Sequence, residues 1–226
     1  MPISKSQSIA SARKRILIVD DHPIVRQGLD QQLNHEPDLI VCAQAGNASQ
    51  ALAAVEEHKP DLALIDINLP GRSGLELIRD IRAVAPKLPM LVLSMHDESV
   101  FAERVLRAGG RGYISKDAGG EKLLEAIRRV LSGEIYVSES VSTRLLDSLS
   151  GKQRPRTVSP VEQLTDRELE VFTLIGQAKE TKEIARRLHM SGKTVEAHRA
   201  AIKRKLKLTT GPELTRHAVL WVEATM

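Results

Sequence analysis

The chain has 226 residues, 42% hydrophobic and 27% charged, which is enough length and apolar content to bury one large core or two smaller ones. Only two Phe, two Tyr and one Trp occur. This scarcity argues against RNA- and single-strand-binding surfaces, which stack bases on exposed aromatic rings. A single cysteine, Cys42, excludes an internal disulfide and any cysteine-based zinc or iron–sulfur cluster, and it favours a reducing compartment.

Neither a membrane span nor a secretory signal is evident. No apolar run approaches the roughly 20 residues that cross a bilayer. Residues 1–14 are basic and rich in Ser but lack the apolar segment of a secretory signal. We interpret them as a basic flexible tail, with a transit peptide as the alternative, and expect a cytoplasmic protein with no membrane partner.

The net charge of +4 is unevenly distributed along the chain. Residues 15–135 hold 14 Lys/Arg against 18 Asp/Glu, a net charge of −4. Residues 152–226 hold 15 against 9, a net charge of +6. This asymmetry indicates a regulatory or catalytic part joined to a part that meets a polyanion.

Residues 15–133 alternate between short aliphatic runs and segments of helical period. The predicted strands are Ile16–Val19, Leu39–Cys42, Leu62–Ile65, Leu88–Leu93 and Gly112–Ile114. The predicted helices are Pro23–Asn34, Asn47–His58, Gly74–Val84, Asp97–Ala108 and Gly119–Leu131. Nearly continuous apolar strands separated by amphipathic helices are typical of a parallel sheet covered on both faces. The pattern predicts an α/β doubly wound, flavodoxin-like domain of five parallel strands.

The second part of the chain is predicted to be helical. Residues 134–160 form a linker that carries one amphipathic helix, Glu139–Leu149, and ends in a basic stretch with Gly and two Pro. Residues 161–226 form a small all-α domain with helices Asp166–Ile175, Thr181–Leu188, Gly192–Leu206 and Pro212–Val222. Thr165 with Glu168 forms a capping box, and Ser191 and Thr210 lie where helix N-caps are expected.

Carboxylates follow two of the predicted strands. Asp20 and Asp21 come directly after strand one, and Asp66 comes directly after strand three. In a flavodoxin-like sheet these strands are neighbours, so the three acids converge at the edge where ligands bind. Like charges this close require a cation, and a hard ion such as Mg²⁺ suits carboxylate and phosphate oxygens. The alternative is that each acid only caps the loop that follows it.

Two further strand ends add a hydroxyl and a cation. Ser94 follows strand four, and Lys116 follows strand five. A Ser hydroxyl can donate to a phosphoryl oxygen, and a Lys can pair with an anion at Asp66. Phosphoryl transfer depends mainly on such positioning and charge neutralisation.

Together with Tyr113, these residues resemble the signature of two-component receiver domains in their order and spacing. The matching set is Asp20-Asp21, Asp66, Ser94, Tyr113 and Lys116. The stretches Val-Asp-Asp-His-Pro, Leu-Pro-Gly-Arg-Ser-Gly and Val-Leu-Ser-Met-His-Asp-Glu resemble the NarL/FixJ family, whose output domain is LuxR-type. The resemblance implies that Asp66 accepts a phosphoryl group from a sensor histidine kinase and that Lys116 binds this group. It also implies a Mg²⁺ site formed by Asp20, Asp21, Asp66 and the main-chain carbonyl of Asn68.

The resemblance further implies that Ser94 and Tyr113 form a switch. A phosphate adds roughly −1.5 to −2 charge at neutral pH. The phosphate would draw the Ser94 hydroxyl inward and leave space that the Tyr113 ring can fill. The alternative is that Tyr113 is an ordinary half-buried aromatic residue of a strand, with no switch role. His22 and His96 flank the site without a partner at metal-ligand spacing, and we interpret both as structural.

The segments Leu164–Val171, Lys182–Ala185 and Lys193–Arg199 resemble the LuxR-type helix-turn-helix, whose helix from Gly192 enters the DNA major groove. Helical geometry supports this independently, because Val195, Ile202 and Leu206 share one face. The opposite face, called the reading face below, contains Lys193, Glu196, Ala197, Ala200, Arg204 and Lys207. The resemblance implies that Thr194 also binds DNA. The alternative is that this basic helix face is only solvated and binds no DNA.

Three residues refine the DNA prediction. Glu196 would repel phosphate, but it can accept from a cytosine amino group and so contribute specificity. Arg199 and Lys203 flank the reading face and are better placed for phosphates. The family's Gly-x-Ser-Asn start of the second helix is replaced here by Ala178-Lys-Glu-Thr181, so this chain departs from the family pattern at that turn.

The leading hypothesis is a phosphorylation-controlled transcription regulator rather than an enzyme. The resemblance implies a sensor histidine kinase, promoter DNA and RNA polymerase as partners, and a homodimer on phosphorylation. One alternative is an enzyme that uses Asp66 as a nucleophile, as aspartyl phosphatases do, but the next few residues offer no second acid or base. Another is a binding module that acts without phosphorylation.

Overall fold

The first part of the chain forms a five-stranded parallel sheet, as its sequence pattern predicts. The computed structural model describes residues 13–95, 97–149 and 160–225. The strands lie in the order β2-β1-β3-β4-β5. Their bounds are β1 Lys14–Val19, β2 Leu39–Ala45, β3 Leu62–Ile65, β4 Met90–Ser94 and β5 Gly112–Ser115. This order confirms that strands one and three are neighbours and brings their carboxyl ends together.

Five helices cover the two faces of this sheet. They are α1 Pro23–His35, α2 Ala48–His58, α3 Gly74–Val84, α4 Glu98–Ala108 and α5 Gly120–Leu131. Successive side chains of a strand point to opposite faces. Leu17 and Val19 of β1 accordingly pack in one apolar cluster with α2, α3 and α4, whereas Ile16 and Ile18 pack in a second with α1 and α5.

The strand bounds differ from the predicted ones for physical reasons. β1 begins at Lys14, so the last residue of the predicted tail belongs to the sheet, whereas residues 1–12 lie outside the described residues. β4 begins at Met90 rather than Leu88, because Pro89 has no N–H to donate to the sheet. β2 continues to Ala45, since residues 43–45 pair with β1 beyond a shift in register.

The second part of the chain is helical, as predicted. Its helices are α6 Glu139–Leu149, α7 Asp166–Gly176, α8 Thr181–Arg187, α9 Gly192–Leu206 and α10 Gly211–Thr225. A short 3₁₀ helix, Pro160–Gln163, was not predicted, and linker residues 150–159 lie outside the described residues. The capping box of Thr165 and Glu168 is present, and Ser191 caps α9 by accepting a hydrogen bond from the Thr194 N–H.

The two parts pack against each other. Val100 and Phe101 of α4 belong to the same apolar cluster as Val161, Leu164 and Leu169 of the helical part. Within the described residues, no helix combines the length and apolarity needed to span a membrane. The packing places the helical part beside α3 and α4, close to the carboxyl edge of the sheet.

Candidate acid site and nucleic-acid interface

Three carboxylates converge at the carboxyl ends of β1 and β3, as the sequence predicts. Asp20 and Asp66 are 2% and 3% exposed, and the Asp21 side chain is 8% exposed. The sheet fixes their backbone, because the Asp66 N–H donates to the Val19 carbonyl at 2.8 Å. Gly74 lets α3 begin close to the end of β3, since a Cβ there would clash with the Asp66 carbonyl oxygen. These three acids, together with Lys116, are called the acid site below.

Lys116 bridges two of the carboxylates. Its Nζ lies 2.6 Å from Asp20 Oδ2 and 2.6 Å from Asp66 Oδ2. Burial raises the pKa of Asp66 to about 6, although Lys116 opposes this rise. Burial alone would lower the pKa of Lys116, but the Asp66 and Asp20 carboxylates raise it above its usual value. Lys116 therefore stays charged and compensates for part of the negative charge.

The donor set at this edge fits a hard divalent cation. Carboxylate oxygens of Asp20, Asp21 and Asp66 and a ring nitrogen of His22 lie within 4.8 Å of one another. Among the described residues, Asp21 Oδ1 is buried without a hydrogen bond of acceptable geometry, although His22 Nδ1 lies 2.7 Å away. A buried carboxylate oxygen without a hydrogen bond is unusual, and an ion resolves it. Oxygen-rich donor sets of this kind suit Mg²⁺.

Ser94 and Tyr113 lie inside the protein next to the acid site. Both are essentially buried, and their side chains share a hydrogen bond. Burial raises the pKa of Tyr113 well above its usual value, so the phenol is neutral. The sequence analysis expected the Tyr113 ring to move inward on phosphorylation, but in this structure the ring is already buried. A switch at this pair would start from a buried ring.

His22 has carboxylate partners at the acid site, whereas the sequence predicted that it had none. Its side chain is 57% exposed, and Nδ1 lies 2.7 Å from Asp21 Oδ1 and 3.2 Å from Asp20 Oδ1. The reason is that His22 immediately precedes α1, whose N-terminus faces the carboxylates. His96, the second flanking histidine, lies outside the described residues.

Sequence reasoning missed His189, which reaches the acid site from the helical part. His189 lies in the turn between α8 and α9, and its Nε2 is 2.6 Å from Asp21 Oδ2. Its ring also meets the His22 ring edge-to-face, with centroids 6.2 Å apart. No local sequence signal could reveal a contact between residues so far apart in the chain. Only the packing of the two parts creates it.

Further polar contacts fix the helical part against α3 and α4. Ser73, the N-cap of α3, donates to Glu170 Oε1 of α7 at 2.9 Å, and neither side chain is accessible to solvent. Asp166 accepts from Arg79 at 2.7 Å and from Arg104 at 3.0 Å. Burial raises the pKa of Glu170 to about 7, against the opposing effect of Arg167.

The helix α9 presents the predicted reading face to solvent. Val195, Ile202 and Leu206 are buried against the other helices, which confirms the predicted packing face. All six residues of the reading face are exposed, as is Thr194, whereas Arg199 and Lys203 are partly buried at its edge. The cationic side chains are therefore accessible, even though the turn before α9 is docked on the acid site.

Glu196 has an intramolecular partner. Its Oε1 accepts a hydrogen bond from the Thr181 hydroxyl at the start of α8, at 2.9 Å, and the side chain is still 60% exposed. Ala178, which replaces a family glycine, has φ +59°, a left-handed conformation that favours glycine. The turn between α7 and α8 therefore holds a non-glycine residue in a strained backbone conformation.

Comparison with known proteins agrees with this architecture. The response regulator receiver domain family matches residues 16–128, and the LuxR family of bacterial regulatory proteins matches residues 162–218. The oxygen regulatory protein NreC of Staphylococcus aureus (strain JH9) is 41% identical over 209 residues, which cover 91% of this chain and 96% of NreC.

Two solved structures are also similar. A LuxR-family two-component response regulator from Aurantimonas sp. SI85-9A1 is 33% identical with a TM-score of 0.57, over 62% of this chain and 99% of that one. RcsB from Salmonella enterica serovar Typhimurium, bound to promoter rprA with the phosphomimetic BeF3-, is 25% identical with a TM-score of 0.59, over 92% and 98% of the two chains.

The fold, the acid site and these matches define a protein that joins a receiver domain to a helix-turn-helix domain. The chain belongs to the NarL/FixJ family of two-component response regulators, with a LuxR-type DNA-binding domain. It is a phosphorylation-controlled, DNA-binding transcription regulator.

Proposed function

We propose that Asp66 accepts a phosphoryl group from a sensor histidine kinase and that the phosphorylated chain binds promoter DNA as a homodimer. The observation that carries this proposal is the placement of Lys116 Nζ 2.6 Å from both Asp66 and Asp20. A fixed ammonium group at that position can hold a phosphoryl oxygen as the Asp66 carboxylate attacks phosphorus. RNA polymerase is the further partner that we propose at the promoter.

The proposed division of labour within the acid site follows from its chemistry. Asp20, Asp21, Asp66 and the Asn68 carbonyl would hold Mg²⁺, which when bound neutralises charge on the transferring phosphoryl group. Asn68 also donates its N–H to Asp66 Oδ1 at 3.2 Å, which orients the nucleophile. Ser94 can donate its hydroxyl to the new phosphoryl group and so exchange its present partner, Tyr113.

We propose the domain limits 15–133 for the receiver, 134–160 for the linker and 161–226 for the DNA-binding domain, after a tail at 1–14 whose last residue, Lys14, is the first residue of β1. The family matches to residues 16–128 and 162–218 support the division. The receiver would assist its own phosphorylation and dephosphorylation without turning over a separate substrate.

Labelling with a small phosphodonor tests the acceptor. Asp66→Asn keeps the shape of the side chain but cannot act as the nucleophile, so we expect no phosphoryl incorporation. Asp117→Asn is the matched control, because Asp117 is exposed in the short 3₁₀ helix Lys116–Ala118 after β5 and is not one of the acid-site residues. Retained labelling of Asp66→Asn at normal stoichiometry would reject Asp66. Rapid release with continued donor consumption would favour the aspartyl phosphatase alternative.

The proposed DNA contacts divide into two roles. We propose that the reading face and Thr194 meet base edges, whereas Arg199 and Lys203 meet phosphates. A two-fold dimer would place two copies of α9 in major grooves about one helical turn apart, on an inverted repeat. Support comes from the exposure of this face and from the net charge of +6 on residues 152–226.

Two substitutions separate these roles. Glu196→Ala should relax base preference at one position by about 1–3 kcal/mol. Lys203→Ala should weaken binding to all sequences alike and reduce the slope of log K against log salt by about 1. A Lys203 variant that changes base preference as strongly as the Glu196 variant would overturn the assignment.

A further inference from the structure

The imidazole of His22 lies among the carboxylates of the acid site. Its Nδ1 is 2.7 Å from Asp21 Oδ1 and 3.2 Å from Asp20 Oδ1. Together with Asp66, these residues form a group of four side chains whose possible ligand atoms all lie within 4.8 Å of one another. A nitrogen donor therefore stands at the same short range as the oxygen donors of the site.

Lys116 binds other carboxylate oxygens than those beside His22. Its Nζ contacts Asp20 Oδ2 and Asp66 Oδ2. His22 instead lies beside the Oδ1 atoms of Asp20 and Asp21. The Asp21 side chain is only 8% exposed, and its Oδ1 accepts no hydrogen bond from any residue that the structure describes. A buried carboxylate oxygen without a donor calls for a further positive partner, and that partner would lie beside the imidazole.

The spacing of these atoms fits ligands of one metal ion. Two donors at right angles, each about 2.1 Å from an ion, lie about 3 Å apart. The distances from His22 Nδ1 to the two carboxylates, 2.7 and 3.2 Å, bracket this value. With its proton on Nδ1 the ring donates to Asp20 Oδ1, whereas with the proton on Nε2 it offers a lone pair to an ion at the same place. Asp20 Oδ1 then still accepts from the His22 main-chain N–H at 2.8 Å.

An imidazole ligand changes which metal a site prefers. Mg²⁺ prefers oxygen donors and retains several waters, whereas imidazole suits first-row transition ions. At a site of nitrogen and oxygen donors, the affinity for divalent ions rises from Mn²⁺ through Fe²⁺ and Co²⁺ to Ni²⁺ and Cu²⁺. A protein ligand from His22 would therefore raise the affinity for a transition ion and leave the affinity for Mg²⁺ nearly unchanged.

We propose that His22 Nδ1 is a metal ligand of the acid site, and that the site therefore binds a divalent first-row transition ion more tightly than Mg²⁺. This inference rests on the metal role proposed for Asp20 and Asp21. The position of His22 supports it, because His22 immediately precedes α1 and its side chain makes no capping hydrogen bond with that helix. The imidazole is thus available to the carboxylates without loss of a helix cap.

Calorimetric titration of the untagged full-length chain with Co²⁺ and, separately, with Mg²⁺ tests the assignment. His22→Phe keeps a ring of similar shape but has no nitrogen. His35→Phe is the matched control, because His35 is exposed at the far end of the same helix. We expect the parent and the His35 variant to bind Co²⁺ at least about tenfold more tightly than Mg²⁺.

The His22 variant should lose affinity for one ion only. We expect it to bind Co²⁺ at least about tenfold more weakly than the parent, because a lost ligand should cost no less than a lost hydrogen-bond partner of a ligand. Its affinity for Mg²⁺ should change by less than about twofold, because Mg²⁺ relies on oxygen donors.

Proton NMR of the Co²⁺-loaded chain identifies the ligand directly. A histidine that binds metal through Nδ1 carries its exchangeable proton on Nε2, close to the paramagnetic ion. We expect one strongly shifted resonance that disappears in D₂O, present in the parent and in His35→Phe and absent from His22→Phe. The same resonance in His22→Phe would assign the ligand to another histidine and overturn the proposal.

The remaining outcomes separate this inference from the proposed function. Equal losses of Co²⁺ and Mg²⁺ affinity in His22→Phe would show that His22 only positions the carboxylates, and an unchanged Co²⁺ affinity would show that it is no ligand. Either result, or a parent that binds Mg²⁺ at least as tightly as Co²⁺, would overturn the inference while leaving the metal site in place. Absence of binding of both ions to the parent would overturn the metal assignment, and the inference with it.

Discussion

The acid site and the reading face carry charge in opposite surroundings. Asp20, Asp66 and Lys116 are buried or nearly so, and each has a partner within 2.6 Å. The cations of the reading face lie in solvent, where a charge costs little to keep unpaired. A buried charged group is therefore tied to stability as well as to function, whereas an exposed one can be changed for function alone. Substitutions in the two regions should differ accordingly.

The largest change in stability should follow substitution of Lys116, which bridges Asp20 and Asp66. Lys116→Met leaves Asp20 and Asp66 buried without their partner, and we expect a loss of about 3 kcal/mol in the free energy of unfolding, measured with urea at pH 8 without Mg²⁺. Lys203→Ala at the edge of the reading face should change it by less than about 0.5 kcal/mol. Similar losses in the two variants would remove the contrast between the regions.

A buried acid between the domains should make stability depend on pH. Glu170 has its pKa raised to about 7 by burial, despite Arg167, whereas Asp166 adds to the rise. A carboxyl whose folded pKa is raised binds protons more tightly in the folded state. Relative to a neutral side chain, its ionisation therefore destabilises the folded chain increasingly as the pH rises from about 4.5 to about 7.

Comparison with Glu170→Gln isolates this effect. The free energy of unfolding of the parent minus that of the variant should fall by up to about 3 kcal/mol over this pH range and be flat above it. Urea unfolding of both chains at several pH values measures the difference. A difference independent of pH would contradict the raised pKa.

The ion pairs of Asp166 between the domains should matter more than an exposed pair. Asp166→Asn weakens two charge-assisted hydrogen bonds, from Arg79 and Arg104, and should cost about 2 kcal/mol in the free energy of unfolding, since Arg79 is half exposed. Glu103→Gln, which breaks the exposed pair with Arg107, is the control and should cost about 0.5 kcal/mol or less. Equal costs would indicate that solvent screens both pairs alike.

The smallest predicted effect is a gain in stability. Ala178 has φ +59°, so Ala178→Gly relieves left-handed strain at the start of the helix-turn-helix. We expect the free energy of unfolding to rise by about 0.5–1 kcal/mol, as measured by thermal and urea unfolding. A loss of stability would mean that the backbone entropy of glycine outweighs the strain.

The elements of the fold were predictable because their signals are local. The buried runs of β3, Leu62–Ile65, and the amphipathic pattern of α3 and α9 gave the observed bounds. The acid site was predictable for a related reason, since parallel strands bring Asp20, Asp21 and Asp66 to one edge once the strand order is known. The ends of β2 and β4 were less accurate, because they depend on a register shift and on a proline.

The contacts between the domains were not predictable from the sequence. Ser73 and Glu170, which are 97 positions apart, lie in patterns that indicate only helix caps and a helical face. His189 likewise belongs to an ordinary turn, and nothing in that turn indicates its partner Asp21 in the first part of the chain. Such contacts depend on how two folded surfaces meet, which no local periodicity encodes.

The proposed function requires that phosphorylation of Asp66 controls DNA binding by α9. The most direct measurement is the affinity of the full-length chain for a promoter fragment found by genomic footprinting, before and after phosphorylation, for the parent and for Asp66→Asn. We expect tighter binding by the phosphorylated parent and no response to the phosphodonor in the variant. Equal affinity of the phosphorylated and unphosphorylated parent would contradict it.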